Sequence, residues 1–210
     1  GLIPYVTVDT YEKIEALPTS CWAEWKNEPD IALGRPAAIP PDVYATELIQ
    51  AALVANMNPV GMIGGPVMSN LNKRGCDYLE AVIAGCGGSL PDNVFGVTHR
   101  YGDGTFEKPH KFSWWPWSPF SSRAAELQWF KQTLGTRIWG ISEFGYPVID
   151  DLTEWDQADR IKKVWQLYRD EGASFAILFQ INDGPSAFRE HHYGVRRFDQ
   201  TWKPAAFTIP

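Results

Sequence analysis

The sequence predicts an α/β fold of the parallel (β/α)8 TIM-barrel class, present in part, as a single domain over 1–210. Three observations carry this expectation. Short β-rich runs alternate with helical runs along the whole chain, the order of a parallel sheet covered by helices. The strand runs are nearly continuous in apolar residues, as strands buried on both faces must be. The polar residues able to do chemistry fall where those strands end, which is where barrel sites are built. The competing doubly wound class advertises a glycine-rich phosphate loop, and neither G-x-G-x-x-G nor G-x-x-x-x-G-K-[ST] occurs; G-x-S-x-G is absent too. At 210 residues the chain falls short of the roughly 250 of a full barrel, so six strands of eight are expected.

Taken in order, the first strand is read over 3–8 and a short helix over 11–17. The second strand covers 21–27. A loop stiffened by Pro36, Pro40 and Pro41 leads to a helix over 42–56, where Val43, Leu48, Ala51, Ala52 and Ala55 recur at helical spacing. The third strand is read over 60–63, closed by Gly64-Gly65-Pro66. A helix over 76–84 is stopped by Gly85, Gly87 and Gly88. The fourth strand is 94–98, and after a long loop a helix spans 122–134 with Gly135 as its stop. The fifth strand is 137–142. The helix over 155–171 places Trp155, Ala158, Ile161, Val164, Trp165 and Tyr168 on one stripe, and both tryptophans are expected in the core. Trp139, inside a strand, is expected there as well. Gly172 ends that helix and 174–181 is the sixth strand; the stretch 202–210 is short for a final barrel helix.

Charge limits the partners. Lys and Arg number 19 against 25 Asp and Glu, a net charge of −6, and no basic cluster is present to meet a phosphate backbone, so nucleic acid is not expected. No apolar run approaches the roughly 18 residues of a membrane helix, so no membrane partner is expected. Cys21, Cys76 and Cys86 are too few for a disulfide scaffold, and an odd count leaves at least one free thiol; Cys76 and Cys86 as a pair and as free thiols both stay open. The chain opens at Gly1 with neither Met nor a signal-peptide pattern, which is expected of a processed chain or a fragment, and compartment, secretion included, is not readable. No cofactor and no metal ligand set is expected. His191-His192 are adjacent on an extended chain and point apart, which reads as a solvated loop. Asp150, Asp151, Asp156 and Asp159 read as charges at a helix N-terminus.

The strand ends are another matter. The second strand ends in Asn27-Glu28-Pro29, the fourth in Thr98-His99-Arg100-Tyr101, the fifth in Ser142-Glu143-Phe144-Gly145 and the sixth in Gln180-Ile181-Asn182-Asp183. Two carboxylates on opposite walls of one barrel point to glycoside hydrolysis. One stays protonated to donate to the leaving oxygen, and the other stays ionised to attack the anomeric carbon. Asn27, beside Glu28, suits a hydrogen bond to a sugar hydroxyl. His99 and Tyr101 suit fixing the nucleophile and binding substrate. Glu24, four residues before Glu28, is the main decoy, a core-facing residue with a supporting role. The loop over 102–121 is long for a connection and carries Trp114, Trp115 and Trp117. Their rings would form either a platform for pyranose faces or a small core of the loop itself.

Trp25-Lys26-Asn27-Glu28-Pro29 resembles the acid/base motif that closes strand four of the clan A retaining glycoside hydrolases, of the family 5 and family 39 type. Ile141-Ser142-Glu143-Phe144-Gly145 resembles their strand-seven nucleophile motif, and His99-x-Tyr101 is similar to their strand-six motif. The three occur in family order, and the resemblance covers about 3–203. It implies a partial barrel of strands three to eight, with strands one and two lacking. It implies Glu28 as acid/base and Glu143 as nucleophile of a double displacement on β-linked poly- or oligosaccharide, as in an endo-glycanase such as a cellulase or mannanase. Asn27, His99, Tyr101, Trp114, Trp115, Trp117 and Gln180 would then bind substrate. Gln180 follows Phe179 where the clan often has a Trp, and the clan's usual Arg from the lacking region has no counterpart. A non-catalytic carbohydrate-binding barrel and a glycan-transferring variant are the alternative readings. The open seam would be completed by another chain or a missing segment.

Overall fold

The computed structural model describes residues 4–18, 21–32, 37–58, 60–101, 119–135, 138–148, 152–184 and 193–208. Among them the order is β1 (Tyr5–Val8), α1 (Tyr11–Glu15), β2 (Trp22–Trp25), α2 (Pro41–Met57), β3 (Ile63–Met68), α3 (Lys73–Gly85), β4 (Val94–Tyr101), α4 (Arg123–Leu134), β5 (Trp139–Gly145), α5 (Glu154–Asp170) and β6 (Phe175–Leu178), then a 3₁₀ turn at Pro204–Phe207. The strands follow one another in chain order across one six-stranded sheet, and the pairings from β1 to β4 are parallel. This is the β/α succession of a barrel. By their contacts the residues group into two compact units, Gly1–His99 with Gln128–Gly140, and Arg100–Leu127 with Ile141–Pro210.

In the first unit, alternation along each strand separates a helix-facing side from the opposite side. Trp25 of β2 stacks on Tyr11 of α1 with ring centroids 5.0 Å apart, and its carbonyl accepts from the Tyr44 hydroxyl of α2 at 2.7 Å. Gly65 of β3 faces Leu48 and Tyr44, and Gly96 of β4 faces Leu134 of α4. The residues between them turn the other way. There Trp22 meets Phe95 at 5.1 Å, and Glu24 stands in register with Thr7 and Gly64. Pro41 opens α2, where its missing N–H costs nothing. Asn72 caps α3 by accepting from the Gly75 amide at 2.9 Å.

The third strand lies later than the sequence places it. Gly64-Gly65-Pro66 is the interior of β3, not its stop, and the strand ends at Met68. Glycine is needed there for close approach. A Cβ on Gly64 would stand 2.6 Å from the Phe95 ring, and one on Gly65 2.9 Å from Leu48.

In the second unit, Thr153 and Asp156 form a reciprocal capping box that starts α5. Phe144 of β5 packs edge-on against Tyr168 of α5 at 5.4 Å and on Trp165 at 6.1 Å. Gln157 donates to the Tyr146 carbonyl at 2.8 Å. Arg100, near the end of β4, pairs with Glu126 of α4 at 2.6 Å, both buried, and the buried Lys203 pairs with the half-buried Asp183 at 2.7 Å. Trp155, expected in the core, is 74% exposed. It is the second residue of α5, and the buried stripe starts only at Gln157 and Ala158. Trp139 is buried as expected. Cys21, Cys76 and Cys86 are all free thiols. No helix among the described residues is long and apolar enough to cross a membrane.

Candidate functional site

Glu28 sits in a turn that its own sequence does not favour. Directly after β2, Lys26 and Glu28 both have left-handed backbone, with φ of 55° and 43°. For side chains of this kind that conformation costs roughly 1–2 kcal/mol per residue, so tertiary contacts must impose it. Two contacts hold the near side of the turn. The Lys26 amide donates to the Val8 carbonyl at 2.8 Å, and its ammonium pairs with Glu47 of α2 at 2.5 Å. The outcome is a buried Glu28 whose Oε1 lies 2.9 Å from His99 Nδ1. His99 is fully buried and lies on the face of β4 opposite Gly96 and Arg100, the residues that face α4. A carboxyl hydrogen-bonded to an imidazole is an arrangement through which a proton can pass. Of the carboxyl groups at the strand ends, Glu28 is the one that His99 Nδ1 meets among the described contacts.

Asp30, two residues on, carried no expectation. It is 3% exposed and accepts from Ser69 twice, from the amide at 3.0 Å and the hydroxyl at 2.6 Å. Burial pushes its carboxyl above the ordinary range, the Ser69 hydrogen bonds oppose that, and the charge of Glu28 adds to it. Its only local signal is a second acid close behind Glu28. The decisive partner lies just past the end of β3, beyond where the Gly64-Gly65-Pro66 signal places the strand's stop. Glu24 accepts from the Tyr5 hydroxyl at 2.8 Å and the Thr7 hydroxyl at 2.7 Å, so its partners are in β1. Asn27 is half-buried.

In the second unit, Glu143 is the only partly exposed residue of β5, whose other six are buried. Phe144 faces α5, so Glu143, one residue earlier, lies on the opposite face of the strand. Gly145 follows because no other residue fits: a Cβ there would stand 2.3 Å from the Phe179 carbonyl oxygen and 2.8 Å from the Tyr193 ring. The Phe179 amide donates to the Phe144 carbonyl at 2.7 Å, binding the exits of β5 and β6 together. Gln180 comes next, half-buried, after a cis Phe179–Gln180 peptide. Tyr101 ends β4, and its side chain lies outside the described residues, as do Trp114, Trp115, Trp117 and the His191-His192 pair. Of the expected site residues, the first unit thus joins Glu28 to His99 and carries Asn27, while Glu143, Tyr101 and Gln180 belong to the second. Among the described residues no group of three or more His, Cys, Asp or Glu is arranged to hold a metal.

No family model matches the sequence, and a search of curated proteins gives no match. Solved structures do match. The family 39 glycoside hydrolase from the gut symbiont Bacteroides cellulosilyticus is similar at 16% identity and a TM-score of 0.65, over 93% of this chain and 41% of that one. The family 39 enzyme from Xanthomonas axonopodis pv. citri is similar at 18% identity and 0.63, over 94% and 40%. Xylanase 10B from Thermotoga petrophila, solved with xylobiose, is similar at 14% identity and 0.62, over 95% and 62%. The chain spans about two fifths of the length of the family 39 enzymes it matches. The fold is part of a (β/α) barrel, similar to that of these solved glycoside hydrolases. At the level of fold, the resemblance to clan A read from the three motifs is upheld.

Proposed function

We propose that this chain carries the chemistry of a retaining glycoside hydrolase acting on β-linked poly- or oligosaccharide. Glu28 is its acid/base and Glu143 its nucleophile. The observation that carries the proposal is the Glu28 carboxyl, held on His99 by a strained turn at the end of β2 in a fold shared with glycoside hydrolases. Strained backbone at a strand end is a place where folding energy is given up for placement.

In the first step Glu28 gives its proton to the glycosidic oxygen while a Glu143 oxygen bonds to the anomeric carbon. The leaving sugar departs as an alcohol, and a glycosyl ester remains on Glu143. In the second, Glu28 takes a proton from water, the water oxygen bonds to the anomeric carbon and the ester bond breaks, which restores both groups. His99 orients the Glu28 carboxyl and shares its proton. Asn27, Tyr101 and Gln180 contact the sugar, and Trp114, Trp115 and Trp117 offer ring faces to a longer glycan. Residues 1–210 are read as one barrel-type domain. β1 and β6 stand at the two ends of the strand order, and every residue of β6 is only half-buried, which supports further strands pairing there, from another chain or an additional segment.

The test is a panel of β-xylans, β-glucans, mannans and galactans scored for reducing-end release, with Glu143→Gln beside the wild type. β-Xylan and β-1,3-glucan head the panel because xylosidases, a xylanase and a β-1,3-glucanase are among the similar structures. Release that Glu143→Gln abolishes without unfolding is expected. Glycan binding with no release from any member would mark a carbohydrate-binding barrel and overturn the proposal.

A further inference from the structure

Asp30 is a buried carboxylate with a use that the two-glutamate mechanism leaves open. It is 3% exposed and accepts two hydrogen bonds from Ser69, at the exit of β3. β3 lies between β2 and β4 and is buried along its whole length, so Ser69 is a fixed point. The turn after β2 is not self-supporting, with two left-handed residues in three. On its near side it is pinned by the Lys26 amide on Val8. On its far side the side-chain anchor is Asp30. Glu28 lies between these two points, with its carboxyl delivered to His99 of β4.

We propose that Asp30 is the positioning residue of Glu28: clamped on Ser69, it holds the left-handed turn that sets the Glu28 carboxyl against His99. This rests on reading Glu28 as the acid/base. The two bonds differ in kind. The Ser69 amide can only donate, and this fixes the orientation of the Asp30 carboxyl. The Ser69 hydroxyl can donate to an ionised Asp30 or accept from a protonated one. The clamp therefore survives a change in the charge of Asp30, and placement of Glu28 is not lost when its neighbour titrates. The same logic makes asparagine a competent replacement, its amide oxygen receiving the Ser69 amide and its NH2 donating to the hydroxyl.

The test compares wild type, Asp30→Ala and Asp30→Asn on two aryl β-glycosides, one with a phenol leaving group that needs a proton and one with a dinitrophenol that does not. A misplaced general acid slows only the first. Asp30→Ala is expected to lose about 100-fold in kcat/KM on the phenyl glycoside and little on the dinitrophenyl one, with most of the loss recovered in Asp30→Asn. Equal losses on both substrates, or none, would overturn the proposal. A readout free of activity stands beside it: the ring-proton NMR signal of His99 hydrogen-bonded to Glu28 should be present in wild type and Asp30→Asn and absent from folded Asp30→Ala. If wild type cleaves neither glycoside while this signal follows the expected pattern, the clamp stands and the hydrolase reading fails. If the signal persists in Asp30→Ala, the clamp fails whatever the activity.

Discussion

Replacing Gly145 by alanine probes the contact that sets the exit of β5. The new Cβ would lie 2.3 Å from the Phe179 carbonyl oxygen, about 0.7 Å inside the 3.0 Å that real Cβ atoms respect. The obstructing atom is backbone, and the peptide that carries it adjoins a hydrogen bond from the Phe179 amide to the Phe144 carbonyl. Relief must therefore part the exits of β5 and β6 and stretch that bond. Overpacking costs about 1–3 kcal/mol and a weakened buried hydrogen bond about 1 kcal/mol. A loss of about 2–4 kcal/mol is expected, which for a chain of this size lowers Tm by roughly 5–15 °C. Glu143 stands two residues earlier on the same face of β5, so its carboxyl should shift by a good part of an ångström, and kcat on a β-glycoside should fall by about 100-fold. Chemical denaturation and initial rates measure the two effects. A variant within about 0.5 kcal/mol of wild type would refute the close approach and the placement argument built on it.

Three further outcomes are expected. Glu126 is buried with Arg100 bonded to it and Arg123 near by, so Glu126→Gln strands two buried guanidinium groups and should cost about 3–5 kcal/mol by denaturant titration; a loss below about 1 kcal/mol would contradict a buried pair. Asp30 binds its proton more tightly folded than unfolded, because burial raises its carboxyl above the ordinary 3.8. Its contribution to stability is therefore full below that value and lost as pH rises through the raised one. The Tm of Asp30→Asn minus that of wild type should accordingly grow from about pH 3 to about pH 7, and a difference that stays flat would refute the shift. Trp155→Ser should change stability by no more than about 0.5 kcal/mol, because the ring is 74% exposed; a large loss in thermal unfolding would put it back in the core.

The order of elements was readable because each strand and helix has its own period, and that period depends on residues close in the chain. What escaped depends on distant ones. Gly64-Gly65-Pro66 looked like a stop because glycine and proline usually punctuate; only the nearness of Phe95 and Leu48 reveals why small residues belong inside β3. Trp155 fits the helical stripe by spacing, yet burial of that stripe begins after the first turn of α5. Glu28 and Glu143 stood out at strand ends with recognisable neighbours. The partner of His99 did not, since a strand end shows that a side chain can reach the site and says nothing of which carboxyl it meets. Asp30 was invisible for the same reason, its donor lying 39 residues away on another strand.

The most direct measurement is the configuration of the first product, followed by proton NMR during hydrolysis of a β-glycan before the sugar equilibrates. Two displacements through Glu143 with Glu28 as acid and then base return the anomeric carbon to its starting configuration, so a β-anomer is expected first. An α-anomer appearing first would mean a single displacement by water, and would contradict the assignment of Glu143 as nucleophile.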